Sequence, residues 1–391
     1  MESHLYKYNP WWENDYIFES FYVRPLWEKK LIEQLEHREI VFLTGLRRVG
    51  KTTLMKLVSK YLILEKGVAP RHIFYISLDD FFLRDTCILD IIQMYRKVNQ
   101  ISVKTKVWLF LDEITYKVDY ELQLKNLYDL GNTKVFATSS SASLLKTKTA
   151  YLTGRNVMFE VLPLNFDEFL TFRQYKFDKA DKHLKDQAFL EFLETGGMPE
   201  YVLYKKADYM NNLVNNIIQK DIAAQNNISN IRLLQDFFLL LMERSGKQVS
   251  INKLANILSI SPDTALRYFN MFVEAYLIFP IVKHGKTNQQ ILSPKKIYAA
   301  DIGIRSFYTG FRDLGSLFEN YVFLQIKHLN PKYISENTIE LDFFTQEKKL
   351  IEAKFHNEQL SDKQKKLFEE FKAKDKFIVR NYEDIKSIST P

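Results

Sequence analysis

The stretch Gly45-Leu46-Arg47-Arg48-Val49-Gly50-Lys51-Thr52 constrains this chain more than any other. It satisfies G-x-x-x-x-G-K-[ST] at every fixed position, directly after a β-branched and aromatic run (Glu39–Thr44) and directly before a helical one (Thr52–Glu65). At average residue usage a chain of 391 residues meets this pattern by accident about one time in a hundred. The strand-then-helix context sets an ordinary glycine turn further aside. The spacing has a chemical reason. Gly45 and Gly50 permit the turn and bring no side chain, so backbone N–H groups can face phosphate oxygens. The following helix aims its unpaired N–H groups and its dipole at the same anion. Lys51 reaches the β- and γ-phosphates, and the Thr52 hydroxyl suits Mg²⁺. Leu46, Arg47, Arg48, Val49 and Thr53 complete the nucleotide-binding stretch.

Around this loop, short apolar runs alternate with helical ones. Strands are expected at Glu39–Thr44, His72–Ser77, Val107–Leu111 and Lys134–Thr138, and helices at Thr52–Glu65, Cys87–Asn99, Tyr120–Gly131 and Ser143–Lys148. Runs of this kind separated by helices indicate a parallel sheet covered on both faces. Val107–Leu111 ends in Asp112-Glu113. Asp112 is expected to hold Mg²⁺ through water and Glu113 to polarise an attacking water. The strand at Lys134–Thr138 runs into Ser139-Ser140-Ser141; Ser140, then Thr138, is the hydroxyl expected to sense a γ-phosphate, the alternative being a serine-rich helix cap. Arg155 follows in Leu152-Thr153-Gly154-Arg155, either as a phosphate-reaching arginine in cis or in trans or as an ordinary surface residue.

Composition narrows the classes. Gly and Pro number only 12 and 10, against collagen-like or low-complexity character. The single cysteine, Cys87, excludes an internal disulfide and a cysteine-rich zinc site, and a reducing, cytoplasmic setting is expected. Trp11, Trp12 and Glu13 interrupt any leader-like apolar run, and no membrane span is expected. The net charge is +7, and residues 242–312 hold ten Lys/Arg against four acids. That segment permits DNA contact or is a solvated basic face.

The order of Gly45–Thr52, Asp112-Glu113, Leu152–Arg155, Pro163-Leu164-Asn165-Phe166-Asp167-Glu168-Phe169 and Gly196-Gly197-Met198-Pro199-Glu200 resembles a large archaeal and bacterial family of predicted AAA+ superfamily ATPases, related to the STAND-type NTPases. The resemblance runs from about residue 20 to 380. It implies binding and hydrolysis of ATP with Mg²⁺, and a C-terminal domain of unknown function that resembles the PD-(D/E)xK nuclease fold. One departure is Ser139, where the family usually has Gly. By the same resemblance Pro199 lies in a lid near the adenine, while the residues alone also fit a proline that follows a helix end.

Four parts are expected: a P-loop α/β core (1–160), a helical lid (161–245), a winged helix (246–300) and a restriction-endonuclease-like α/β domain (301–391). In the third, a helix at Ser250–Leu258, a turn, a helix at Thr264–Ala275 with Leu266, Phe269, Phe272 and Val273 inward, and a hairpin around His284–Asn288 place Arg267, Tyr268, Lys283 and Lys286 for DNA; the alternative is a packing module. In the fourth, Glu352 and Lys354 share a strand face, and Asp342 meets them if the two strands form a hairpin. Spacing alone makes Glu-x-Lys commonplace in a chain so rich in both. The resemblance strengthens it, since it implies Glu319-Asn320, Glu340–Phe343 and Ile351–Lys354 as conserved boxes, with Asp342, Glu352 and Glu319 on Mg²⁺ or Mn²⁺ and Lys354 near the attacking water. The function expected is an ATP-hydrolysing ATPase coupled to a DNA-binding, nuclease-like domain, as a monomer or homo-oligomer. The competing expectation is an ATPase switch whose last domain only holds DNA or a protein.

Overall fold

Every side chain of Ile40–Thr44 (β1) is buried, as expected of a parallel strand covered on both faces. The structure, a computed structural model, describes residues 2–13, 16–18, 22–140, 152–178 and 180–389. Two compact units divide at Val161 and Leu162. The boundaries expected at 245 and 300 therefore fall inside the second unit.

In the first unit, helices α1 (Glu2–Tyr8) and α2 (Pro25–Glu33) precede β1. Helix α3 (Lys51–Leu64) follows it, then β2 (Ile73–Ser77), α4 (Ile88–Val98), β3 (Val107–Asp112), α5 (Tyr120–Leu130) and β4 (Thr133–Ser139). The strand order is β2-β3-β4-β1-β5, with every neighbouring pair parallel. The four expected strands lie within about a residue of their predicted bounds. The fifth, β5 (Asn156–Glu160), was not expected: it is a half-buried edge strand with no strong apolar run. Helices α1 and α2 were also unforeseen, and the helix expected at Ser143–Lys148 lies outside the described residues. The outer side of β2 is covered by the segment after α1. The Asn9 amide exchanges two hydrogen bonds with the Tyr75 backbone (2.9 and 2.7 Å), and the Trp11 and Trp12 indoles both donate to the Ile73 carbonyl (3.2 and 3.0 Å).

The second unit begins with helices α6 (Phe166–Phe172), α7 (Lys182–Thr195), α8 (Pro199–Tyr204), α9 (Tyr209–Asn216), which continues as a π-helical turn, and α10 (Ile231–Glu243). The two sequence boxes here meet for steric reasons. Asn165 caps α6 reciprocally with Glu168, and the Leu164 N–H donates to the Gly197 carbonyl at 2.8 Å. A Cβ on Gly197 would lie 2.2 Å from the Leu164 carbonyl oxygen, and one on Gly196 would lie 2.3 Å from Asp301 Oδ1. The Leu164 backbone and the Asp301 carboxylate thus leave no room for a side chain at either glycine.

Next come β6 (Gln248–Val249), α11 (Ile251–Leu258), α12 (Pro262–Glu274), β7 (Ile278–Ile281), the short α13 (Thr287–Leu292) and β8 (Lys295–Ala299), with antiparallel order β6-β8-β7. The connection between β7 and β8 is not the simple hairpin expected. Residues 287–292 are helical, and the backbone at Val282–His284 pairs with Tyr333 (3.1 and 2.7 Å). In α12, Phe269 and Phe272 are buried as expected, but Leu266, expected inward, is 47% exposed, and Tyr268, expected to face DNA, is 5% exposed. Aromatic packing on Phe237 decides this, since the Tyr268 and Phe272 rings both lie against it.

The chain ends with α14 (Ile302–Thr309), α15 (Leu314–Ile326), β9 (Lys332–Glu336), β10 (Ile339–Phe344), β11 (Lys349–Ala353), α16 (Asp362–Glu370), β12 (Asp375–Val379) and α17 (Lys386–Ser389). The four-stranded sheet has order β12-β11-β10-β9, antiparallel except for the parallel β11–β12 pair that α16 connects.

Asp301 links these parts. It is fully buried at the start of α14, and its carboxylate accepts from the N–H groups of Gly197 (2.7 Å) and Ile304 (2.9 Å). Burial pushes its pKa up to about 6, against the opposing pull of those backbone donors. Asp301→Ala should lower stability by roughly 2–4 kcal/mol, because it strands two buried donors. The folded-state pKa lies above the unfolded value, so the carboxyl favours the fold fully below about pH 4 and this contribution is lost as pH rises through 6. The stability of wild type relative to Asp301→Asn, measured by urea denaturation, should fall across that window. A constant difference would show that Asp301 is not the group titrating.

Candidate nucleotide site and carboxylate cluster

The phosphate loop joins the end of β1 to the start of α3. Gly45 has φ +130°, and a Cβ there would lie 2.3 Å from the Val161 carbonyl oxygen; Gly50 caps α3 at φ +96°. Both positions therefore require glycine. Lys51 is buried, and its Nζ donates to the carbonyls of Gly45 (2.9 Å) and Leu46 (3.0 Å) and to Ser140 Oγ (3.3 Å). The Val49 carbonyl accepts from the guanidinium of Arg24, a buried residue that the motif gives no means of finding.

The ends of β3 and β4 supply the rest. Asp112 Oδ2 accepts from Thr52 Oγ1 at 2.6 Å and from the Tyr75 hydroxyl at 2.8 Å, while Oδ1 accepts from Thr138 Oγ1. Thr138 also accepts the Glu113 N–H at 2.9 Å. It thus holds both acids of the pair. Glu113 has φ +51°, an uncommon conformation for a side-chain-bearing residue, and its carboxylate accepts from Ser140 Oγ at 2.5 Å and from the Ser140 N–H at 3.3 Å. Burial, then the Asp112 charge, raises the Tyr75 hydroxyl pKa far above its ordinary value, so it stays a donor. Lys51, Thr52, Asp112, Glu113 and Ser140 are thereby brought together. Thr52 and Asp112 form a pair of oxygen groups of the kind that suits Mg²⁺.

Arg155 is not part of this group. Its carbonyl accepts from the Ile40 N–H (2.8 Å), at the opposite end of β1 from the loop, and its side chain faces Asp129 Oδ1 at 3.5 Å and the Tyr128 ring. Four strand residues, about 13 Å, separate that end from the phosphate loop, so a phosphate contact in cis is ruled out. Pro199 is the first residue of α8 in the second unit.

The basic segment is less of a surface than its charge suggested. Arg267 and Lys286 are exposed, Lys283 is half-buried with its backbone in the pairing to Tyr333, and Lys296 and Arg305 are buried.

In the C-terminal sheet the expected acids do converge. Across β10 and β11, Glu352 Oε2 accepts the Asp342 N–H (2.9 Å) and Asp342 Oδ2 accepts the Ala353 N–H (3.0 Å). Lys354 Nζ lies 3.1 Å from Glu352 Oε1. Lys296 Nζ lies 2.7 Å from Glu319 Oε1, 2.6 Å from Glu340 Oε1 and 3.1 Å from Asp342 Oδ1, and the Tyr298 hydroxyl donates to Glu319 at 2.7 Å. Burial, and next the charge of Asp342, raises the pKa of both Glu319 and Glu352. Among the described residues no group of three or more acids, histidines or cysteines is arranged to hold a metal ion. The acids expected on Mg²⁺ or Mn²⁺ are instead paired with lysines. Asn320, next to Glu319, is wholly buried and exchanges two hydrogen bonds with the Ala299 backbone (both 2.9 Å), which accounts for the Glu-Asn pair structurally.

Comparison with known proteins bears on the same regions. Residues 37–170 match the family described as AAA domain, and residues 186–314 match a domain of unknown function, DUF8612. The chain is 29% identical over 355 residues to the uncharacterized protein MJ1544 of Methanocaldococcus jannaschii, covering 85% of this chain and 78% of that one. It is 27% identical over 308 residues to the uncharacterized protein MJ1637 of the same organism, covering 71% and 63%. Among solved structures, the Walker-type ATPase PABY2304 of Pyrococcus abyssi matches with 14% identity over 74% of this chain and 96% of that one, at a TM-score of 0.45. AMPPCP-bound DnaA from Aquifex aeolicus matches with 18% identity over 66% and 90%, at a TM-score of 0.30. No helix among the described residues is long and apolar enough to cross a membrane. The family match over residues 37–170 covers the parallel sheet with its phosphate loop, so this part of the chain is similar to an AAA domain and has the strand order and loop of a P-loop fold.

Proposed function

We propose that the chain binds ATP with Mg²⁺, hydrolyses its γ-phosphate, and uses that cycle to control DNA held by the second unit. The convergence of Lys51, Thr52, Asp112, Glu113 and Ser140 at the ends of β1, β3 and β4 carries this reading. The backbone N–H groups of the loop and the first turn of α3 face the phosphates. Lys51, whose ammonium now rests on two loop carbonyls, turns to the β- and γ-oxygens. Thr52 and Asp112 hold Mg²⁺, which neutralises charge on the phosphates when bound. Tyr75 and Thr138 keep Asp112 in one orientation. Glu113 exchanges its hydrogen bond from Ser140 for one from water and takes the proton of that water.

For the second unit, the order α10, β6, α11, α12, β7, β8 supports a winged helix whose connection after β7 has been drawn into β9. The order α15, β9, β10, β11, α16, β12 supports a nuclease-like sheet. The pairing of Lys354 with Glu352 favours a domain that holds DNA or a partner over one that cuts it. Arg267 and Lys286 are the exposed cations on the helix and the connection that suit phosphate contact.

Lys51→Ala should abolish nucleotide binding, read with a fluorescent ATP analogue; unchanged affinity would overturn the site. Glu113→Gln should retain binding and slow turnover by about 10²-fold or more. Tyr75→Phe should raise the Mg²⁺ concentration for half-maximal hydrolysis by about tenfold without changing metal-free nucleotide affinity, the behaviour of a residue that orients a ligand. For DNA, Arg267→Ala with Lys286→Ala should lower the slope of log affinity against log salt by roughly two. An unchanged slope would make this region a packing module.

A further inference from the structure

Lys296 and Arg305 are the buried cations of residues 242–312, and Lys296 is the one enclosed by three carboxylates. It is 1% exposed, and its ammonium has three carboxylate oxygens within 3.1 Å, those of Glu340, Glu319 and Asp342. One of its N–H groups donates to Asp342 Oδ1, and the other two carboxylates lie at ion-pair distance. The partners come from separate elements: Glu319 from α15, Glu340 and Asp342 from β10, and Lys296 itself from β8 of the neighbouring three-stranded sheet. Two residues on along β8, Tyr298 donates to the same Glu319 oxygen. Both oxygens of Asp342 are occupied, one by Lys296 and the other by the Ala353 N–H. A divalent ion would draw on these same oxygens at ligand distances near about 2.1 Å. It cannot share them with an ammonium fixed at hydrogen-bond distance.

We propose that the Lys296 ammonium is the resident cation of the Glu319–Glu340–Asp342 cluster, taking the position a divalent metal would need. The C-terminal sheet is then a metal-free element, and removing the Lys296 charge opens a divalent-cation site. The seat of the cation stands on distances alone; the consequence that bound DNA stays uncut rests on the nuclease-like reading above. The arrangement also ties the two sheets together through one side chain.

The test is isothermal titration of the full-length chain with MnCl₂, in a Thr52→Ala background that silences the phosphate-loop metal position. With Lys296 present, Mn²⁺ binding should be the same with and without Asp342→Asn. Lys296→Met should add one Mn²⁺ site at least about tenfold tighter than any in its parent, and a further Asp342→Asn should abolish it. Binding that depends on Asp342 while Lys296 is present would overturn the proposal, and that comparison needs no Lys296 variant to fold. A folded Lys296→Met chain, judged by its far-ultraviolet circular dichroism, that gains no site would overturn it too. Supercoiled DNA separates this from the wider reading. Mn²⁺-dependent nicking by the Lys296-containing chain, lost with Asp342→Asn, would overturn the resident cation and leave the nuclease-like reading standing. Absence of DNA binding in every variant would remove the DNA-holding role and leave the cation seat intact.

Discussion

Asp112 is the acceptor around which the first unit is organised. Three hydroxyls converge on one buried carboxylate, from Thr52 on α3, Tyr75 on β2 and Thr138 on β4. A buried carboxylate without donors would be strongly unfavourable, so each hydroxyl is held as firmly as the acid is. The consequence is geometric: the ends of three parallel strands and the first turn of a helix are registered against one another by a single side chain. Thr138 extends the effect by also holding the backbone of Glu113. Asp112 and Glu113 are thus adjacent acids that one neighbouring threonine holds, the first by its carboxylate and the second by its backbone.

Much of this was legible in sequence because it obeys local rules. A strand, eight loop residues and a helix must be contiguous, and an apolar strand ending in two acids is a contiguous pattern too. The positions of β1 to β4 followed from apolar runs within about a residue. The edge strand β5 did not, because a half-buried edge needs no continuous apolar run. Tyr75 and Arg24 reach the site from separate elements, and no spacing rule connects them to the loop. The Gly196-Gly197 and Pro163–Phe169 boxes stood out in the sequence, but their reason appears only in space, where the backbone at Leu164 and the Asp301 carboxylate leave no room for a Cβ.

Counting charges along the chain misjudged the basic segment for a related reason. A formal sum gives Lys296 and Lys286 the same weight, although one is sealed among carboxylates and the other lies in solvent. The acids of the last sheet were identified by residue, but their counter-charge lies forty-six residues earlier than Asp342, beyond the reach of any motif. In α12 the inward face was legible at Phe269 and Phe272, while Leu266 and Tyr268 fell on the other sides from those expected. Arg155 had the right sequence distance and the wrong end of the strand, which only the parallel pairing of β5 with β1 decides.

The Asn9 amide and the two indoles after it do for β2 what a further strand would do. A chain trimmed to start beyond Trp12 would keep the entire phosphate loop but lose Leu5 from the core of the first unit. It would also present the free carbonyl and N–H groups of Ile73 and Tyr75 to any strand of another molecule, an invitation to edge-to-edge aggregation. The first dozen residues thus act as a built-in guard for one edge of the parallel sheet.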